Sequence, residues 1–114
     1  MKRLLPSLKE KTRYIVFQII SEKKMNFLII EKVIKEAILS FIGQLGVSKA
    51  NPIILKDCWN QEKQKGVIKI NHKFIDEIKM SLALIKNINN TKAIVDCIGV
   101  SGILNKAKKK YMEV

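Results

Sequence analysis

Between Thr12 and Ser21 apolar residues fill both alternating sets of positions. Ile15, Phe17 and Ile19 form one set, and Tyr14, Val16 and Ile20, joined by Gln18, form the other. β-branched and aromatic residues at a period of two predict a strand, and apolar content on both faces predicts one that is covered on both sides. After the turn Glu22-Lys23-Lys24, Asn26 is placed to cap a helix over 27–44. In it Ile30, Val33, Ile34, Ala37, Ile38 and Phe41 recur at three and four residues, the spacing of one apolar stripe. Gly43 and Gly46 signal its end, and 47–51 reads as a connection.

Residues 53–59 read as a second strand, with Pro52 at an entrance that suits a sheet edge, where a missing N–H matters least. A polar loop over 60–65 leads into a third strand over 67–71, with Ile68 and Ile70 inward. Ile75, Ile78, Leu82 and Ile85, flanked by Phe74 and Leu84, predict a second helix over 73–87, opened by Asn71 or His72 and closed by the Asn-rich run 87–90. A fourth strand follows over 93–98. Gly99 and Gly102 then allow sharp turns, and a short basic helix over 101–112 begins with Ser101 as its cap and docks through Ile103, Leu104, Ala107 and Tyr111.

The order strand, helix, strand, strand, helix, strand, helix predicts an α+β, ferredoxin-like (split βαβ) sandwich. Right-handed crossovers place both long helices on one face of a four-stranded antiparallel sheet, with strands one and three central. The C-terminal helix, with Leu4, Leu5 and Leu8 of a basic N-terminal extension over 1–11, is expected to cover part of the other face. A chain of 114 residues is enough for one domain and too short for two.

Charge changes the picture. Lys and Arg number 22 against 10 Asp and Glu, a formal net charge of +12. That is well beyond what solubility needs; it repels itself in the folded state, and a nucleic acid would relieve it. No apolar run approaches the length of a membrane span. Cys58 and Cys97 stand in no metal spacing, and with a single His a zinc site is not expected; reduced thiols in a cytoplasmic protein are.

Three uses of such a fold find no support in the residues. The third strand carries no aromatic on which a base could stack, no paired-cysteine loop exists, and the loop after Ser21 has neither the glycine nor the Arg of a phosphate-cleaving site. His72 has no partner to make it a general base, and Asp57, Asp76, Glu77 and Asp96 form no pair at a spacing that predicts a shared site. Trp59 reads as core or protein interface before it reads as a base platform. Lys63, Lys65, Lys69 and Lys73 read equally as a second RNA-facing surface or a solvated rim. Lys106, Lys108, Lys109 and Lys110 read either as a solvated helix face or as a basic arm held in a fixed direction for a polyanion.

The blocks Arg13-Tyr14-Ile15, Leu45-Gly46-Val47-Ser48-Lys49-Ala50-Asn51-Pro52, Leu82-Ala83-Leu84-Ile85 and Gly99-Val100-Ser101-Gly102 with its basic tail resemble the family of archaeal ribonuclease P protein component 2, counterpart of the eukaryotic Pop-five subunit. The resemblance runs from Leu5-Pro6 to Tyr111. It implies a non-catalytic subunit of an RNA enzyme that removes the 5′ leader of precursor tRNA, with Mg²⁺ required by the RNA and no cofactor bound by the protein. It further implies work beside protein component 3, the Rpp-thirty subunit, in a two-plus-two assembly within a larger set of ribonuclease P proteins, touching precursor tRNA indirectly. Expected phosphate contacts are Arg3, Lys11, Arg13, Lys106, Lys108, Lys109 and Lys110, then Ser48, Lys49 and the amides near Ser101. Pro52, Ile53, Leu55 and Trp59, as an edge strand, are the expected partner surface. The alternatives are a stand-alone RNA-binding or ribosome-associated module and a small-molecule-binding regulatory domain; the +12 charge opposes the latter.

Overall fold

The computed structural model describes residues 11–112; Arg3 and the N-terminal leucines lie outside them. The elements are β1 (Thr12–Ser21), α1 (Phe27–Ala50), β2 (Ile53–Ile54), β3 (Lys65–Asn71), α2 (Ile75–Ala83), β4 (Asn87–Ile88), β5 (Thr91–Ser101) and α3 (Leu104–Ala107). A π-helical turn, Lys108–Met112, continues α3. The antiparallel sheet runs β2-β3-β1-β5-β4, so it has five strands where the sequence predicts four. The extra strand arises because α2 stops at Ala83, short of the expected 87. Asn89 and Asn90 both take positive φ, 52° and 62°, which makes a two-residue hairpin turn between β4 and β5 rather than a helix end.

β1 is central, paired with β3 on one side and β5 on the other. Ile15, Phe17 and Ile19 join Ile30, Ile34 and Ile38 of α1, Ile68 and Ile70 of β3, and Ile78 and Leu82 of α2 in the main core. Asn26 caps α1 as expected, its Oδ1 accepting from the Ile29 amide at 3.0 Å. The stripe departs at its end: it follows the i+4 row to Ile42, and Phe41 is left exposed. Gly43 does break the helix, with φ 73° and ψ 175°, a conformation open to glycine. Helix then resumes over 44–50, so Ser48 and Lys49 sit in a helical turn instead of a connection. Asn51 ends it in the left-handed conformation, its N–H donating to the Val47 carbonyl at 2.8 Å.

The expected strand over 53–59 shortens to two residues because Lys56–Cys58 coils into a 3-10 turn. Cys58 and Trp59, at the end of this turn, serve opposite faces of the sheet. Cys58 packs under the C-terminal helix, while Trp59 turns back to Phe17 and Phe27, with ring centroids 6.2 and 6.1 Å apart. On the outer face Val16, Val67 and Cys58 meet Ala107 and Met112, flanked by Tyr14, Leu55, Ile98, Leu104 and Tyr111. The expected docking face of the C-terminal helix is thus correct for Leu104, Ala107 and Tyr111. Ile103 is exposed, since it precedes the first helical turn. Among the described residues the cover ends there: Ile20 and its cross-strand partner Ile94 lie more than half exposed at the other end of this face.

Candidate nucleic-acid interface

Two basic surfaces emerge. The first lies at the end of the sheet where β1 begins. Lys11 accepts the His72 amide at its carbonyl (2.9 Å). Buried Asn71 donates from Nδ2 to the Lys49 carbonyl at 3.5 Å and accepts the Lys73 amide at Oδ1, 3.0 Å. One side chain therefore ties the end of α1 to the turn after β3, and brings Lys11, Lys49 and Lys73 to one rim. The Arg13 guanidinium lies beside Gly102, with Nη1 donating to the Thr12 carbonyl at 2.8 Å. Ser101 pairs across from Tyr14 at the same end. Lys11, Arg13, Ser48, Lys49 and Ser101, scattered in sequence, thus share one end of the molecule.

The second surface is the C-terminal helix. It leaves this same end after Gly102 and crosses the outer face toward β3. Lys106, Lys109 and Lys110 are exposed, and the Lys110 ammonium lies 5.5 Å from the centre of the Tyr111 ring. Lys108 is half-buried and lines an open groove of about 420 Å³ with Asp57, Glu62, Asn60 and Met112, so acidic neighbours share its field. Ser101 does not cap this helix. Its Oγ accepts the Ile103 amide at 3.2 Å and donates to the Ile103 carbonyl at 3.0 Å, a local turn that moves the helix start to Leu104. Gly102 sits in the bend between β5 and α3, as expected and without a positive φ, whereas Gly99 stays within β5 and makes no turn.

The lysines near the hairpin do not form one cluster. Lys63 is exposed in the loop and Lys65 is buried, its Nζ donating to the Tyr111 carbonyl at 3.1 Å. Lys69 and Lys73 lie at the far end of β3, next to the first basic surface. Sequence spacing missed Lys73, Lys69 and Asn71 as members of that surface. The antiparallel register, which pairs Thr12 with Asn71, is the signal that assigns them.

Of the expected partner surface, Ile53 is exposed, Pro52 is half-buried, Leu55 packs on the outer-face cluster and Trp59 packs into the main core. Pro52 and Val47 line a shallow groove with Leu39, which is exposed, as are Phe41 and Leu45 on either side of the Gly43 kink. Cys58 and Cys97 are free thiols, and burial pushes the Cys97 thiol above its ordinary value. Among the described residues no three His, Cys, Asp or Glu side chains gather where they could hold a metal, and no helix is long and apolar enough to cross a membrane.

The family model described as Rpp14/Pop5 matches residues 13–112. Curated relatives named ribonuclease P protein component 2 align along nearly the whole chain. That of Thermococcus gammatolerans is 38% identical over 97% of this chain and 91% of its own, and that of Pyrococcus furiosus 37% over the same shares. That of Methanocaldococcus jannaschii is 32% identical over all of this chain and 82% of its own. A chain in the cryo-EM structure of yeast ribonuclease MRP shares the fold, with a TM-score of 0.65 at 15% identity over 98% of this chain and 93% of that one.

Proposed function

Because the chain belongs to the Rpp14/Pop5 family, we propose that it is an accessory RNA-binding subunit of ribonuclease P, whose RNA removes the 5′ leader of precursor tRNA. The observation that carries this reading is the C-terminal helix. Its apolar side is fixed to the sheet while Lys106, Lys109 and Lys110 stay in water, in a chain of net charge +12. A folded RNA brings phosphates together, and their repulsion is screened by diffuse Mg²⁺ or by protein cations, which release counterions as they bind. The protein therefore lowers the Mg²⁺ that the RNA needs, and the Mg²⁺ chemistry stays with the RNA. The end-of-sheet rim of Lys11, Arg13, Lys49 and Lys73 extends the same surface.

The protein acts in the cytoplasm on the catalytic domain of that RNA, together with protein component 3, two copies of each. The apolar side chains left exposed about the α1 kink, Leu39, Phe41 and Leu45, with Ile53 beyond Pro52, are the surface offered to a protein subunit. Precursor-tRNA cleavage by cognate ribonuclease P RNA at moderate Mg²⁺ tests the proposal, run with this chain, with component 3, with both and with neither. The pair together is expected to support cleavage at Mg²⁺ where the RNA alone is slow. RNA binding that never alters cleavage, in any combination, would replace it with a stand-alone RNA-binding module.

A further inference from the structure

We infer that Gly99 and Lys65 are positioning residues for RNA binding: with Tyr111 they form a latch that sets the direction of the basic C-terminal helix. The inference rests on the reading that this helix meets RNA. An α-helix of four residues, Leu104–Ala107, followed by five in a π-helical turn, is too short to hold itself straight in water. Its direction must come from tertiary anchors. Ala107 and Met112 supply apolar ones under the helix. Tyr111 supplies two more. Its ring lies so close over Gly99 that a Cβ there would overlap the ring carbons. Its carbonyl, near the C-terminal end of the helix, accepts from the buried Lys65 ammonium at 3.1 Å. A cation at that end also meets the negative end of the helix dipole.

The sheet prepares both contacts. The register between β1 and β5 slips between Val16, opposite Gly99, and Phe17, opposite Cys97, so Ile98 is the extra residue of a bulge. The bulge stands directly beside the residue that receives the ring. Lys65 is the first residue of β3, opposite Gln18, which places its long stem along the same outer face. The ring also lies under the Lys110 ammonium at 5.5 Å, so fixing Tyr111 fixes one of the exposed cations.

Three variants test the latch: Gly99→Ala, Lys65→Met and Tyr111→Ala. The last acts from the helix side and leaves the sheet residues untouched, so it stays informative if the others fold poorly. Two readouts are taken together: the rate of tryptic cleavage within 106–110, and affinity for cognate ribonuclease P RNA across a salt series. A working latch gives cleavage roughly tenfold faster, because local opening now exposes the lysines. RNA affinity should fall about five- to tenfold with the salt slope nearly kept, because the same cations bind but must first be ordered. Unchanged tryptic rates in Tyr111→Ala would overturn the latch itself. Faster cleavage with unchanged RNA affinity would overturn the positioning role. A variant with Gln at 106, 108, 109 and 110 separates the premise: if it binds RNA with unaltered affinity and slope, the RNA-facing helix falls, and the positioning role with it.

Discussion

The Gln64 side chain closes on the backbone of Met25 from both sides: Oε1 accepts the Met25 amide at 2.9 Å and Nε2 donates to the Met25 carbonyl at 3.1 Å. Nε2 also donates to the Gln61 carbonyl at 2.7 Å, and the Gln64 carbonyl accepts from Ile19 at 2.8 Å. One buried amide thus ties the hairpin loop to the turn between β1 and α1. Gln64→Ala leaves a buried N–H and C=O of Met25 without partners, at a cost of about 2–3 kcal/mol. Urea unfolding should show that loss, and a thermal midpoint lower by roughly 10 °C. Gln64→Glu should lose a comparable amount, because a carboxylate cannot donate to the Met25 carbonyl. Equal stability of Gln64→Ala and the natural chain would mean that water replaces the amide.

Trp59 is a core residue with one polar edge. Phe17 stacks on it at an interplanar angle of 28°, Phe27 tilts against it, and its Nε1 donates to Gln61 Oε1 at 2.8 Å. Trp59→Ala should cost about 3 kcal/mol, while Trp59→Phe keeps most of the packing and should cost under about 1.5 kcal/mol. As the sole Trp it also gives a clean fluorescence signal. That signal should follow unfolding and stay unquenched when ribonuclease P RNA is added. Strong quenching by RNA at unchanged stability would restore the base-platform reading.

Cys97 couples stability to alkaline pH. Burial raises its thiol pKa in the folded state, partly offset by the positive charge of Lys79. A raised folded value means that the unfolded chain gives up this proton first. The stabilising contribution is therefore complete below the ordinary thiol value of ~8.5 and is lost as pH rises from there through the folded value. Denaturant midpoints measured from pH 7 to 10 should fall more steeply in the natural chain than in Cys97→Ala. Parallel profiles would show that Cys97 does not contribute.

The strands β1 and β3 and the core stripe of α1 were legible because one periodicity, strict alternation or an i+4 row, spoke for each. The losses occur where two physical demands meet in one stretch. At 53–59 the β-branched pair does form a strand, but the more polar Lys56-Asp57-Cys58 that follows coils into a 3-10 turn, a change that the apolar pattern on either side of it concealed. At 87–90 the asparagines do adopt left-handed φ, in a hairpin that the helical pattern before them concealed. Lys65 read as surface because lysine usually is; the tertiary position of the Tyr111 carbonyl, a partner for its buried ammonium, is not visible in the sequence. The end-of-sheet rim was half visible, since charge marked Lys11, Arg13 and Lys49, and register alone adds Lys73 and Asn71.

The two basic surfaces should be separable by salt. Each phosphate neutralised contributes about 0.7–0.9 to the slope of log affinity against log salt, depending on the strandedness of the RNA. Replacing Lys106, Lys109 and Lys110 with Gln removes three exposed cations and should lower the slope by about 2–3. Lys108, half-buried in a groove shared with Asp57 and Glu62, should change it by well under one. Replacing Lys11, Arg13, Lys49 and Lys73 should lower the slope by about 3 if the rim lies on the same RNA surface, with little loss of folding stability because these charges lie at the rim of the sheet and form no ion pair with described residues. If both sets belong to one continuous surface, combining them should add in slope. If the rim set leaves the slope unchanged while the helix set lowers it, RNA meets the C-terminal helix alone, and the rim is a solvated edge.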